Sequence, residues 1–328
     1  MTRLQTTYMG IPISNPIVVG ACSMSKKIDS IKAIEDAGAG ALVIKSLFEE
    51  QVHLEDAAFE QRMAQFDNPF AEAQSLFPSA EHAGPKHHLY WVARTRKETK
   101  LPLIASLNCL ERETWVQYAR QLEETGVDGL ELNFYSPALD PNVTAAQIEA
   151  NEVETLAAIR AAVRLPLSVK LHPYYTSTMN HAANLQKAGA GAFILFNRLF
   201  QPDIDVDREE KMAQRQLTLP NESLVPLRWT ALLSQRIEAD IIASTGLRTG
   251  KDVAKMLLVG AQAVQVVSAL YAHSPSCVKI LRAELLEWMD AHGYQKLEDF
   301  RGKLARRKLD DAWSFERGQY VKAILGFD

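Results

Sequence analysis

Lys45-Ser46, Asn108, Asn133, Lys170, Asn197, Ser244-Thr245 and Ser268 share one placement: each stands where a short apolar run gives out. Two lysines on one enclosed surface repel each other and lose hydration, so they call for an anionic or strongly polarised partner. Either lysine alone reads first as a snorkelling side chain with its ammonium in water. Both together, with three asparagines nearby, point to a bound ligand. Ser244-Thr245-Gly246 adds a second chemistry. Gly246 and the following Gly250 let the backbone approach a ligand closely, and a short helix can start at Ser268. Backbone N–H groups there would form a phosphate cradle. Ser136 follows Asn133-Phe134-Tyr135 on a loop whose turn is fixed by Pro137. No Ser-His-Asp order and no Gly-x-Ser-x-Gly elbow accompanies it, which speaks against a hydrolase.

These residues need elements to hold them. A small residue, Gly and an apolar run ending on a polar side chain recur four times, at Ala37–Ser46, Thr125–Asn133, Ala188–Asn197 and Val259–Ser268. Glycine suits the left-handed position after a helix, and an unbroken apolar run suits a parallel strand covered on both faces. Leu101–Asn108 and Leu165–Leu171 begin with Leu-Pro-Leu, and proline at a strand start costs no ladder hydrogen bond. Pro16–Gly20 and Asp240–Ser244 bring the strands to eight. Amphipathic stretches at Thr114–Glu124, Glu149–Val163 and Lys251–Leu258 lie between them. The alternation predicts a (β/α)8 TIM barrel, α/β in class, whose strand ends share one chemically active rim. Residues before Pro16 are expected to form an N-terminal hairpin plugging the barrel bottom. Residues from Ser276 to about Gly293 are expected to form a closing helix with its apolar stripe at Ile280, Leu281, Leu285 and Trp288. Long insertions follow strand 2, from Leu47 to about His88, and strand 6, from Arg198 to Pro226. Loops of that length serve as lids and binding loops, or as packing decoration and dimer contacts.

The 328 residues are expected to form a single domain, 1–328, since one barrel of about 250 residues plus insertions accounts for them. The formal net charge of −4 gives no reason to expect nucleic acid or an anionic membrane as partner. The N-terminus carries no signal-like apolar stretch and no run reaches membrane-spanning length. Cys22, Cys109 and Cys277 are scattered and odd in number, which argues against disulfides, zinc and iron–sulfur clusters and for a cytoplasmic location. Asp203, Asp205 and Asp207 have calcium-loop spacing, but Arg208 occupies the obligatory glycine position. His82, His87 and His88 read as surface-loop residues before metal ligands, and Arg228-Trp229 as a packing pair before a phosphate-facing arginine.

The order of motifs resembles the FMN-dependent dihydroorotate dehydrogenases over nearly the whole chain. Asn15-Pro16 with Gly20-Ala21-Cys22 resembles the first-strand flavin loop, and Ile44-Lys45-Ser46 the second-strand lysine–serine pair. Glu131-Leu132-Asn133-Phe134-Tyr135-Ser136-Pro137 is similar to the catalytic loop, and Val169-Lys170-Leu171-His172-Pro173 to the flavin-lysine segment. Ser244-Thr245-Gly246 and Gly260 through Leu270 resemble the phosphate site; the tail Gly293–Leu304 is close to the soluble class 1 branch. The resemblance implies FMN as cofactor, held by Ala21, Lys45, Ser46, Asn133, Lys170, Thr245, Gly246, Val267 and Ser268. It implies that Lys170 stabilises negative charge on the reduced flavin, and that Lys45, Asn133 and Asn197 hold a pyrimidine-like substrate. Dihydroorotate would be oxidised to orotate in pyrimidine biosynthesis, with hydride passing to the flavin, Ser136 removing a proton and Lys45, the second catalytic residue, bridging flavin and substrate. A homodimer with a small-molecule substrate is the implied assembly.

The chain departs from the pattern in three places. Serine replaces the cysteine base of the soluble branch, Ala138 replaces an asparagine after Ser136-Pro137, and no asparagine-rich loop is recognisable at Leu76–Ala80. Each missing amide would cost about 1–3 kcal/mol at a buried orotate group. Three other readings therefore stay open: the same flavin chemistry on another cyclic amide or unsaturated carbonyl compound, a Schiff-base aldolase or isomerase using Lys45 or Lys170, and a non-catalytic flavin or phosphate binder. Fumarate, nicotinamide through a partner subunit, and oxygen are all compatible electron acceptors.

Overall fold

The computed structural model describes residues 3–48, 84–135, 138–198, 203–212, 217–305, 315 and 324–326. Eight parallel strands close into a barrel: β3 (Ile17–Val19), β4 (Ala41–Phe48), β5 (Leu103–Asn108), β6 (Gly129–Asn133), β7 (Leu167–Leu171), β8 (Ala192–Leu195), β11 (Asp240–Ser244) and β12 (Ala263–Val266). Pairing of Val264 with Ile17 and of Val266 with Val19 closes the ring. These are the eight strands expected from the apolar runs, and the molecule is a (β/α)8 TIM barrel. The first glycine of each recurring phrase, Gly38, Gly126, Gly189 and Gly260, has positive φ, as a left-handed helix terminus requires.

Helices α1 (Ile28–Asp36), α2 (Gly84–Glu98), α3 (Arg112–Glu124), α4 (Ala145–Ala162), α5 (Thr178–Lys187), α6 (Leu224–Leu233) and α7 (Gly250–Leu258) lie between the strands. α3 shows the principle: Trp115, Tyr118, Ala119 and Leu122 are buried at helical spacing, and its polar residues face out. α4 starts at Thr144, whose hydroxyl accepts from Gln147 N while Gln147 Oε1 accepts from Thr144 N. A short α8 (Ser268–His273) begins at Ser268 as expected, and α9 (Cys277–Ala291) closes the barrel. Its stripe differs from the expected one. Ile280 is 53% exposed, and the buried face is Val278, Leu281, Leu285 and Met289. Residues four apart from Leu281 define that face, and Ile280 falls one position off it.

The N-terminal hairpin of β1 (Thr6–Tyr8) and β2 (Ile11–Ile13) does plug the bottom. Tyr8, Met9 and Ile13 pack inside the barrel with Val18, Val43, Ile104, Ile194 and Ile242. Tyr8 Oη lies 3.3 Å from Ser168 Oγ on β7, and Met9 N donates to Asp240 at 2.9 Å. With the bottom sealed, ligand access is from the opposite rim. The connection after β8 carries a small hairpin, β9 (Asp203–Asp205) and β10 (Glu210–Met212), which is exposed. No helix among the described residues is long and apolar enough to cross a membrane.

Candidate active site

Ala21, Lys45, Ser46, Asn133, Lys170, Asn197, Thr245, Gly246, Val267 and Ser268 all line one cavity of about 340 Å³ at the C-terminal rim. They come from every barrel strand except β5. Ser136 lies outside the described residues, though Tyr135 beside it lines the same cavity. β5 contributes indirectly: Asn108 is buried, and its Nδ2 donates to the carbonyls of Asn133 (2.7 Å) and Tyr135 (3.4 Å). That amide ties the start of the Ser136 loop to the barrel.

The cations are built in with care. Lys45 N donates to Ser25 Oγ at 2.8 Å, and Ser25 Oγ donates in turn to Cys22 O, so the β3 and β4 ends are locked together. Lys170 Nζ lies 3.7 Å from Glu131 Oε1 and 3.4 Å from Gln265 Oε1. Arg198 also reaches the cavity, its guanidinium forked onto Glu222 at 2.9 and 3.2 Å. Against Lys45, Lys170 and Arg198, Glu131 is the only carboxylate lining the cavity among the described residues. The cavity therefore favours an anionic ligand.

The amides pair across the rim. Asn197 Nδ2 donates to Asn133 Oδ1 at 2.9 Å, leaving Asn133 Nδ2 and Asn197 Oδ1 with no partner among the described residues. The pair thus keeps one amide donor and one amide acceptor. Ser46 Oγ lies 2.7 Å from Ser106 Oγ in the buried wall.

At the end of β11, Thr245 and Gly246 are consecutive left-handed residues, with φ of +80° and +74°. Thr245 Oγ1 donates to Phe196 O at 3.1 Å, fixing the turn. Thr218 N donates to Ser268 Oγ at 3.1 Å, bringing the chain after β10 against the start of α8. Gly250 has another job than the expected one. It sits against α9, where a Cβ would come within 2.5 Å of Leu285 N, and its N–H donates to Glu284 Oε2. With Thr249 and Asp252 forming a capping box, the start of α7 is filled by protein groups and takes no ligand.

Several rim residues gave no functional signal in the sequence. Tyr271 Oη lies 2.6 Å from Ser23 Oγ and accepts from Ser23 N at 3.0 Å, closing the wall between α8 and β3. Glu131 and Gln265 are polar residues in the middle of apolar strands, which was the available clue. His88 is a helix residue, not a loop residue: it lies in α2, its Nε2 is 3.2 Å from Lys45 O, and its Nδ1 is buried with no partner among the described residues. Burial pushes its pKa down to about 4. The neutral ring is thus the folded form, so folding stability is full above about pH 6.5 and falls as the pH drops towards 4. Denaturant titrations should show a loss on the order of 2 kcal/mol over that interval, absent in His88→Gln.

A closed barrel sealed at one end, with an electropositive, amide-lined cavity at the other, defines a (β/α)8 protein of the enzyme type. Residues 3–289 match the dihydroorotate dehydrogenase family model, and the chain belongs to that family of oxidoreductases. Among its relatives, a dihydroorotate dehydrogenase B (NAD(+)) catalytic subunit from Thermoplasma volcanium is 25% identical, covering 94% of this chain and 100% of that protein. A dihydroorotate dehydrogenase A (fumarate) from Limosilactobacillus reuteri is also 25% identical, over 90% of this chain and 96% of its own. A chloroplastic dihydropyrimidine dehydrogenase (NADP(+)) from Arabidopsis thaliana is 24% identical, over 91% of this chain and 76% of its own.

Proposed function

We propose that this cavity binds FMN and oxidises dihydroorotate to orotate. The observation that carries the reading is the convergence of Lys45, Lys170, Asn133, Asn197 and the Thr245-Gly246 turn on one enclosed rim. The residues fit the group. Gly246 lines the cavity at positive φ, and a Cβ there would lie 2.5 Å from Ser223 N, so the turn takes glycine alone. Thr245, Gly246, Val267 and Ser268 would hold the phosphate through backbone N–H groups. Ala21, Lys45, Ser46, Asn133 and Lys170 would hold the ring. Bound there, FMN would supply a two-electron acceptor, chemistry that no side chain offers.

The chain's own groups do the rest. Asn133 and Asn197 would orient the substrate through their free amide edge, and Lys45 would neutralise its anionic side. Ser136 would take the proton from the carbon next to the one being oxidised. Lys170 would face the ring, with Glu131 at 3.7 Å beside it.

Dihydroorotate added anaerobically to FMN-loaded protein should bleach the flavin absorbance. A second reading, oxidation or reduction of another cyclic amide, is favoured by Ala138, which lines a neighbouring cavity and offers no amide to this one. If dihydrouracil or dihydrothymine bleaches the flavin and dihydroorotate does not, the second reading replaces the first. Gly246→Ala forces a side chain into the left-handed region at a cost of about 1–2 kcal/mol. FMN affinity, measured by fluorescence quenching, should fall about tenfold.

A further inference from the structure

Glu131 enters the scheme above only as the neighbour of Lys170, yet it is fully buried and sits two residues before Asn133 on β6. Its Oε2 accepts a hydrogen bond from Gln265 Nε2. Its Oε1 has no hydrogen-bond partner among the described residues and faces Lys170 Nζ at 3.7 Å. Gln265 closes the triangle, accepting from Lys170 Nζ at 3.4 Å through Oε1. The carboxamide is held from two sides: Nε2 also lies 3.5 Å from Tyr8 Oη, and a Cβ on Gly20 would come within 3.1 Å of Oε1. The barrel interior thus fixes one carboxylate beside Lys170, one of the two lysines assigned to the flavin, at a depth where solvent does not screen either charge.

We infer that Glu131 is a positioning residue that sets the reduction potential of the bound flavin, acting as the counter-charge of Lys170. The inference rests on the FMN reading above. Taking up two electrons and one proton adds one negative charge to the flavin. The Lys170 ammonium favours that change, and a carboxylate locked behind it offsets part of the attraction. Gln265 keeps the carboxylate from moving closer to the ligand or turning away from the lysine. The arrangement holds the potential below what the lysine alone would impose, so that reduced protein passes its electrons on more readily.

A purely structural Glu131 would alter folding and FMN affinity but would leave the balance between oxidised and reduced FMN alone. The test is therefore the midpoint potential of FMN-loaded protein, titrated anaerobically with dithionite beside a reference dye, in wild type and Glu131→Gln. The glutamine keeps the volume and removes the charge. Its preference for reduced over oxidised FMN is expected to rise about tenfold, which is about 30 mV for a two-electron couple. Glu131→Asp retreats the charge by one methylene and should give a smaller rise; it serves as the readout if the glutamine variant does not fold. A potential at or below the wild-type value, in a variant that binds FMN one to one, overturns the inference and leaves the flavin reading intact. Failure of wild type to bind FMN overturns both.

Discussion

Lys170→Met is expected to slow reduction of protein-bound FMN about 100- to 1000-fold, the usual cost of removing one preorganised charge from a reacting centre. The lysine side chain is only 11% exposed, so no mobile counter-ion replaces it. The substitution has a second consequence. Glu131, wholly buried, loses its only cationic partner among the described residues and becomes an uncompensated charge, which costs about 3–5 kcal/mol. Lost activity could then be blamed on a weakened fold. The double variant Glu131→Leu/Lys170→Met separates the two effects. Replacing a buried pair by apolar residues of similar volume is close to neutral for stability. The double variant is expected to regain urea resistance and to stay slow in a stopped-flow reduction. Recovery of both would mean that Lys170 serves the fold alone.

Ser136→Ala is expected to lower single-turnover reduction by dihydroorotate about 100- to 10,000-fold, the range for loss of a general base. Oxidised FMN should bind as before, because no other function is assigned to this hydroxyl. Serine is a poor base near neutral pH, so Ser136→Cys is the informative companion. With a thiol pKa near about 8.5, the cysteine variant should gain rate as the pH rises through that value. A Ser136→Ala protein reduced as fast as wild type would place the proton acceptor elsewhere. Tyr135, on the same loop and in contact with the cavity, would be examined next.

Much of the rim was legible in the sequence because helix ends and strand ends announce themselves. A glycine after a helix, an apolar run and a terminal polar residue locate a strand end to within two residues: the phrases stop at Ser46, Asn133, Asn197 and Ser268, and the strands at Phe48, Asn133, Leu195 and Val266. Four such ends, and four more strands read from Leu-Pro-Leu entries and short apolar runs, must meet in a closed barrel. Lys45, Asn133, Lys170 and Asn197 were found that way, and the structure brings them to one cavity. What lies below the rim was not legible in the same way. β6 is buried along its whole length, so no alternation tells which residues face inward, and Glu131 looks like any interior position. Gly250 illustrates a different failure. Its flexibility suggested contact with a ligand, while its real neighbour is α9, some 35 residues later in the chain (Glu284 and Leu285). His88 was misread because its burial depends on β4, from which it is distant in sequence. Tertiary contacts of that kind leave no local trace.

The central claim is that the rim holds FMN by its phosphate as well as by its ring. A titration of the purified protein with FMN and, separately, with riboflavin, followed by flavin fluorescence, measures this directly. Two charge-assisted hydrogen bonds to phosphate are together worth about 3 kcal/mol or more, so FMN should bind one to one and riboflavin at least about 100-fold more weakly. Equal affinity for the two, or no binding of FMN, would contradict the account.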